Sequence, residues 1–188
     1  MIEPEEQARA DLYGLLARLF YGPPDQALLD AIADTTIDGE LGAAWGELSH
    51  AAAGANPEAA REEYEAKFIG TGKAPVTLYT SAYTARYTNE TPLAALRGEL
   101  ARLGVARRES VNEPEDHIAA LCEVMRHLIA VQKQPLEVQQ KFFGQWIAPA
   151  FAPLCAAIDA NSGVVFYRHV ANFARRYFEI EQSAFEML

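Results

Sequence analysis

The sequence predicts an all-α fold: one helical bundle of 188 residues with an extended loop around residues 70–83. Three observations point there. Apolar residues recur at three- and four-residue spacing over most of the chain. Helix starts are marked by a capping residue followed by proline. The connections carry glycine, proline and asparagine. No internal repeat, low-complexity tract or linker marks a boundary, so residues 1–188 read as a single domain.

In chain order, Ala8, Leu12, Leu15, Leu16 and Leu19 form the stripe of a first helix from about Pro4 to Phe20, ended by Gly22-Pro23-Pro24. A short helix carries Leu28, Leu29 and Ile32. A third holds Leu41, Trp45 and Leu48, with Asp38 as its cap and Gly54 at its close. Asn56-Pro57 opens a fourth, whose stripe is Ala60, Tyr64 and Phe68 and which Gly70-Thr71-Gly72 stops. From Lys73 to Tyr83 the pattern changes: Val76, Leu78 and Thr80 alternate as in a strand, yet no second strand candidate pairs with them. The segment therefore reads as an extended, partly buried loop, and a long aromatic loop in a helical protein is often functional.

Helices resume at Thr91-Pro92, with Leu93, Leu96, Leu100 and Leu103 on one face and Gly104 as the residue past the end. The next begins at Glu113-Pro114 and buries Ile118, Leu121, Cys122, Met125, Leu128 and Ile129. Gln134-Pro135 precedes a segment around Val138–Phe143. Another helix spans roughly Ala150–Ala160. The turn Asn161-Ser162-Gly163 leads to a last helix with Phe166, Val170, Phe173 and Tyr177.

Composition narrows the function. Half of the residues are hydrophobic, enough for a sizeable core. Sixteen basic and 26 acidic residues give a net charge of −10, which repels phosphate backbones, excludes a nucleic-acid partner and would attract a basic one. Cys122 and Cys155 form no metal-binding spacing and lie on apolar stripes. The opening Met1-Ile2-Glu3-Pro4-Glu5-Glu6 is acidic, unlike a signal peptide's basic start. The longest nearly apolar run, Phe142–Ile158, is short for a bilayer span and carries Pro149 and Pro153. A cytoplasmic protein without stable membrane insertion is expected.

The most informative stretch is Asn112-Glu113-Pro114-Glu115-Asp116-His117. Pro114 fits the first helical position, with Glu113 or Asn112 as cap, and Glu115 and Asp116 then suit the positive end of the helix dipole. One reading is a well-made helix start with a solvated histidine. The other is a polar cluster of Glu113, Asp116 and His117 for a cationic or hydrogen-bonding ligand.

Glu113-Pro114-Glu115-Asp116-His117 resembles the E-P-x-D-H motif of the TorD/DmsD redox-enzyme maturation chaperones. Upstream, Glu63-Tyr64-Glu65-Ala66-Lys67-Phe68-Ile69-Gly70 followed by Ser81-Ala82-Tyr83 resembles that family's aromatic helix end and its proline-containing loop ending S-x-Y. The stretch Tyr13–Phe20 resembles the family's start. Two positions depart: Tyr79 stands where relatives often have tryptophan, and Leu78 replaces an expected proline.

The resemblance implies an α-helical, cytoplasmic, non-catalytic chaperone with no cofactor of its own. It would bind the twin-arginine leader, the body, or both, of a molybdopterin-containing oxidoreductase precursor until cofactor insertion is complete. The binding residues carried over are Phe68, Tyr79, Ser81, Tyr83, Glu113, Pro114, Asp116 and His117. The leader's guanidinium groups would favour Glu113 and Asp116. Its apolar stretch would favour a groove lined by Phe68, Tyr79 and Tyr83. On this expectation Asp116→Ala weakens leader binding and spares the fold. The rival within the same system is a stable accessory subunit of a redox complex, without leader recognition. A homodimer formed by exchange of elements is also compatible with the sequence.

Other candidates carry less. Trp45 and Trp146 suit a core. Glu47-Leu48-Ser49-His50 has one Glu-x-x-His where a di-metal bundle needs two, so no metal site is read. Glu123 and His127 suit a surface pair at i, i+4. No phosphate-binding loop is present. An enzymatic pairing of Asp116 with His117 is disfavoured, because neighbours on a helix point about 100° apart and no nucleophile accompanies them.

Overall fold

The computed structural model describes residues 2–69, 73–84, 92–106 and 113–188. Among these are ten α-helices and no strand beyond a single β-bridge. The chain divides by its contacts into two compact units: Met1–Ala17 with Leu78–Phe151, and Arg18–Thr77 with Ala152–Leu188.

The first unit begins with most of α1 (Pro4–Tyr21). Its buried face is Ala10, Tyr13, Leu16 and Ala17, whereas Ala8 is exposed and Leu12 and Leu15 are half-buried. The face is thus rotated from the leucine stripe, because Tyr13 brings more apolar area to the core than Ala8. Gly14 lies under the Arg126 side chain: a Cβ there would lie 2.9 Å from its Cδ. A four-residue helix, α5 (Ser81–Thr84), contacts α6 (Pro92–Arg102). The predicted loop therefore ends in a helical turn. Gly104, at φ +67°, closes α6 as expected, and the Val105 N–H reaches the Leu100 carbonyl at 2.9 Å. Thr91 and Asn112 lie outside the described residues.

The helix after the acidic motif, α7, spans Ile118–Arg126, four residues shorter at its start than the proline signature predicts. The predicted stripe of Ile118, Leu121, Cys122 and Met125 is buried on it. Leu128 and Ile129 are buried in a π-helical continuation, His127–Val131, where the Gln132 N–H reaches back five residues to the His127 carbonyl at 2.9 Å. Glu123 pairs with Arg126 at 2.8 Å rather than with His127. α8 (Leu136–Trp146) packs on α7 and is tied to α1 by the Gln139 amide, which donates to Glu6 at 3.1 Å.

In the second unit, α2 (Gln26–Asp34) is capped by Asp25, whose carboxylate accepts from the Leu28 N–H at 2.8 Å. Asp38 precedes a 3₁₀ turn, Gly39–Leu41, and its side chain makes no capping bond; α3 (Gly42–Gly54) follows. Asn56 caps α4 (Pro57–Tyr64) through Glu58 and Ala59, as the Asn-Pro pair predicts. The helix continues as a π-helical turn, Glu65–Ile69. α9 (Ala148–Asp159), which starts in the first unit, runs through Pro153 without a break. α10 (Phe166–Glu186) buries Phe166, Val170, Phe173 and Tyr177 as predicted. α3 lies against α2 and α10, and Trp45 meets Phe173 edge-on at 5.2 Å. Trp45 is thus a core residue, with its indole N–H on the Thr35 carbonyl at 2.8 Å.

Candidate functional site

The acidic motif forms a turn, not a helix start. The His117 N–H donates to the Pro114 carbonyl at 3.2 Å, and α7 begins only at Ile118. His117 is itself the cap: its Nδ1 accepts from the Ala119 N–H at 3.2 Å. That bond places the neutral ring's proton on Nε2. The ring is 5% exposed, and burial pushes its pKa below the usual histidine value, against the pull of the Glu113 and Asp116 carboxylates. Pro114 puts the expected helix start four residues too early. The first apolar residue of the stripe, Ile118, marks the true boundary.

The aromatic loop is stitched to this turn. Tyr79 and His117 form an antiparallel bridge. The Thr80 N–H donates to the Asp116 carbonyl at 2.9 Å, and the Ile118 N–H to the Leu78 carbonyl at 2.9 Å. His117 thus sits on the backbone opposite the alternating segment, supplying the pairing partner that hydropathy could not reveal. The rings of Tyr79 and His117 meet edge-on at 5.3 Å. Thr80 Oγ1 adds a second bond to the Asp116 carbonyl at 3.1 Å.

Each carboxylate of the turn has a donor from the chain. The Tyr79 hydroxyl donates to Glu113, and this bond, with burial next, pushes the phenol's pKa up to about 12. The Ser81 hydroxyl donates to Asp116, which is 6% exposed. Glu115 holds the Arg97 guanidinium of α6, with Nε and Nη2 both 3.0 Å from one carboxylate oxygen. Five of the expected residues, Tyr79, Ser81, Glu113, Asp116 and His117, therefore form one hydrogen-bonded cluster around Pro114. Tyr83 follows within α5, half-buried, its N–H on the Thr80 carbonyl at 3.0 Å.

Phe68 belongs to the second unit and to its core. It is 9% exposed and packs on Tyr64 at 5.2 Å and Tyr167 at 5.0 Å. The residues around it are structural ties. Glu63 accepts from the N–H groups of Phe166 at 3.1 Å and Tyr167 at 2.9 Å, capping α10 from 103 residues away. The Tyr64 hydroxyl donates to the Phe20 carbonyl at 2.9 Å, and that of Tyr167 to the Leu19 carbonyl at 3.0 Å. No local signal in the sequence announces the Glu63 cap.

A cleft of about 430 Å³ in the second unit carries charges of both signs, among them Glu40, Glu47, Arg176 and Glu179, and none of the eight expected binding residues. Arg176 is already paired with Glu40 at 2.9 Å. Among the described residues no group of three or more His, Cys, Asp or Glu side chains could hold a metal ion, and no helix is long and apolar enough to cross a membrane. Both cysteines are buried, and burial raises their pKa values, to about 12 for Cys155.

Comparison with known proteins places this architecture. A family model described as the nitrate reductase delta subunit matches residues 34–156. The chain belongs to that family, the TorD family. The chaperone protein TorD of Aliivibrio salmonicida is 27% identical over 128 residues, covering 61% of this chain and 58% of that protein. The TorD chaperone of Vibrio cholerae serotype O1 is 33% identical over 96 residues, or 44% of this chain and 43% of its own. That of Photobacterium profundum is 30% identical over 107 residues, 49% of each chain. The TorD-family chain thus spans about half the length of the curated relatives it matches. Those relatives are named as chaperones, not as catalysts. A crystal structure from Archaeoglobus fulgidus, described as a candidate redox enzyme maturation protein, superposes with a TM-score of 0.58. It is 19% identical and covers 97% of this chain and 96% of its own. The all-α fold of the TorD-family chain is therefore shared over nearly its whole length.

Proposed function

We propose that this chain is a cytoplasmic, non-catalytic chaperone that binds the twin-arginine leader of a molybdoenzyme precursor and holds the precursor until its cofactor is inserted. The observation that carries the reading is the clasp between loop and turn. It sets three carboxylates, Glu113, Glu115 and Asp116, within four residues beside the tyrosine loop, on a protein of net charge −10. A leader has a basic stretch followed by an apolar one. Its guanidinium groups match the half-buried Glu113 and Glu115, in charge-assisted hydrogen bonds that replace the contacts those groups make in the free protein. Asp116 serves such a site from behind, because its burial and its bond to Ser81 make it a positioning residue. Tyr79 and Tyr83, both half-buried, supply apolar area for the stretch that follows the arginines.

Calorimetric titration of the purified protein with a synthetic twin-arginine leader tests this, run beside the same peptide with both arginines changed to glutamine. Micromolar or tighter binding that weakens at least tenfold on the change is expected. Equal affinity for the two peptides, or none for either, would overturn leader recognition through this acidic turn.

A further inference from the structure

Resting on that reading, we propose that Thr80 is a positioning residue for leader recognition: its hydroxyl and its N–H, both on the Asp116 carbonyl, fix the acidic turn beside α5. The carboxylates that meet the arginines and the tyrosine that meets the apolar stretch are thereby held at one spacing. Thr80 belongs to the inward row of the alternating segment, where Val76 and Leu78 are buried as well. By hydropathy alone an apolar residue would complete that row. A hydroxyl buried there must find a partner or cost stability.

The partner is a single atom. The Thr80 N–H reaches the Asp116 carbonyl oxygen at 2.9 Å, and Oγ1 reaches the same oxygen at 3.1 Å. A carbonyl oxygen has two lone pairs, and here one residue supplies a donor for each. Two donors hold the Asp116–His117 peptide plane against a rotation that the N–H alone would allow. The groups attached to that plane are those of the site. On one side the Asp116 carboxylate accepts from Ser81. On the other, His117 sends its N–H to the Pro114 carbonyl at 3.2 Å and caps α7 with its ring. Glu115 is the next residue back along the turn.

Thr80 also faces the other way. Its carbonyl accepts from the Tyr83 N–H at 3.0 Å and from the Thr84 hydroxyl at 3.2 Å, and so opens the helical turn that carries Tyr83. One residue thus joins the acidic turn to the tyrosine turn. A change of its side chain leaves the backbone N–H and carbonyl in place on both sides. The hydroxyl's share is therefore separable, and it acts on the acidic turn.

The test is calorimetric titration of the full chain as wild type, Thr80→Val and Thr80→Ser, each with the twin-arginine peptide and its glutamine counterpart. Melting curves recorded beside each confirm folding. Thr80→Val keeps the shape and removes the hydroxyl, whereas Thr80→Ser keeps the hydroxyl and removes a buried methyl. Both are expected to melt below the wild type. Thr80→Val is expected to bind the arginine peptide about three- to tenfold more weakly, the range of one hydrogen bond, and the glutamine peptide as before. Thr80→Ser is expected to bind both peptides within about twofold of the wild type. A threonine that only supports the fold would make affinity follow melting temperature in both variants. Suppose the wild type binds in an arginine-dependent way. If Thr80→Val then binds as tightly, or weakens towards both peptides alike, or Thr80→Ser weakens as much, the positioning role is wrong and the leader reading stands. If the wild type shows no arginine-dependent binding, both fall. Should Thr80→Val not fold, Thr80→Ala takes its place with the same expected loss.

Discussion

Glu63, Tyr64 and Phe68 direct their side chains to the helices around them, whereas Glu113, Glu115 and Asp116 direct theirs to donors gathered at a turn. Both stretches carry the resemblance to the TorD family, and in sequence they look alike: acidic residues beside aromatic ones. In the first, a carboxylate caps α10, a phenol closes the end of α1, and a phenyl ring fills the space between two tyrosines. In the second, Glu113 and Glu115 stay half-buried, the one accepting from the Tyr79 hydroxyl and the other from the Arg97 guanidinium. The difference teaches that a family motif can mark architecture or recognition. What separates the two is whether the polar groups' partners can leave without breaking the fold.

The sharpest way to break that comparison is Phe68→Ala. Removing a ring that is 9% exposed is expected to cost about 3–5 kcal/mol, read as a loss in chemical unfolding. A cost below about 1 kcal/mol would show that Phe68 stands at a surface and belongs with the recognition stretch. Next in size is Glu63→Gln. The amide keeps one acceptor for the N–H groups of Phe166 and Tyr167 but loses the charge at the start of α10, so about 1–2 kcal/mol is expected. Leader affinity should be unchanged in that variant. A stability change within about 0.5 kcal/mol would remove Glu63 from the architectural set.

Much of this contrast was legible beforehand, and the failures have physical causes. Helical periodicity located the helices, because burial of one face is a local property of spacing. The stripes of α7 and α10 were right residue by residue. The stripe of α1 was out of phase, because leucines were counted and Tyr13 was not. The start of α7 was misplaced because Glu-Pro signals a helix start only when the chain beyond it is free to coil. Here the Thr80 N–H bond to the Asp116 carbonyl and the Ile118 N–H bond to the Leu78 carbonyl hold His117 between them extended. The sequence predicts Asp116 as a leader-binding carboxylate whose loss spares the fold, yet it is 6% exposed and accepts from Ser81. Asp116→Ala therefore cannot be expected to spare the fold, as the sequence suggested. The Glu63 cap joins residues 103 apart, beyond the reach of any windowed pattern.

The smallest effect separates the two stretches by pH. His117 caps α7 through an unprotonated Nδ1, and burial holds its pKa below the usual value despite Glu113 and Asp116 nearby. The unfolded chain, with an ordinary histidine near 6.5, takes up the proton first as pH falls. Stability from this group is therefore complete above about pH 6.5 and is lost as pH falls from there through the folded value. His117→Asn keeps a capping acceptor without a titrating group. Between pH 7.5 and 5.5 the wild type should lose about 2–4 °C more in melting temperature than the variant. The aromatic stretch around Phe68 provides the internal control: the Phe68 side chain has no ionisable group, so Phe68→Ala should shift both melting temperatures alike. If His117→Asn loses as much as the wild type, the acid sensitivity lies in the carboxylates, and the turn is held by them rather than by the histidine cap.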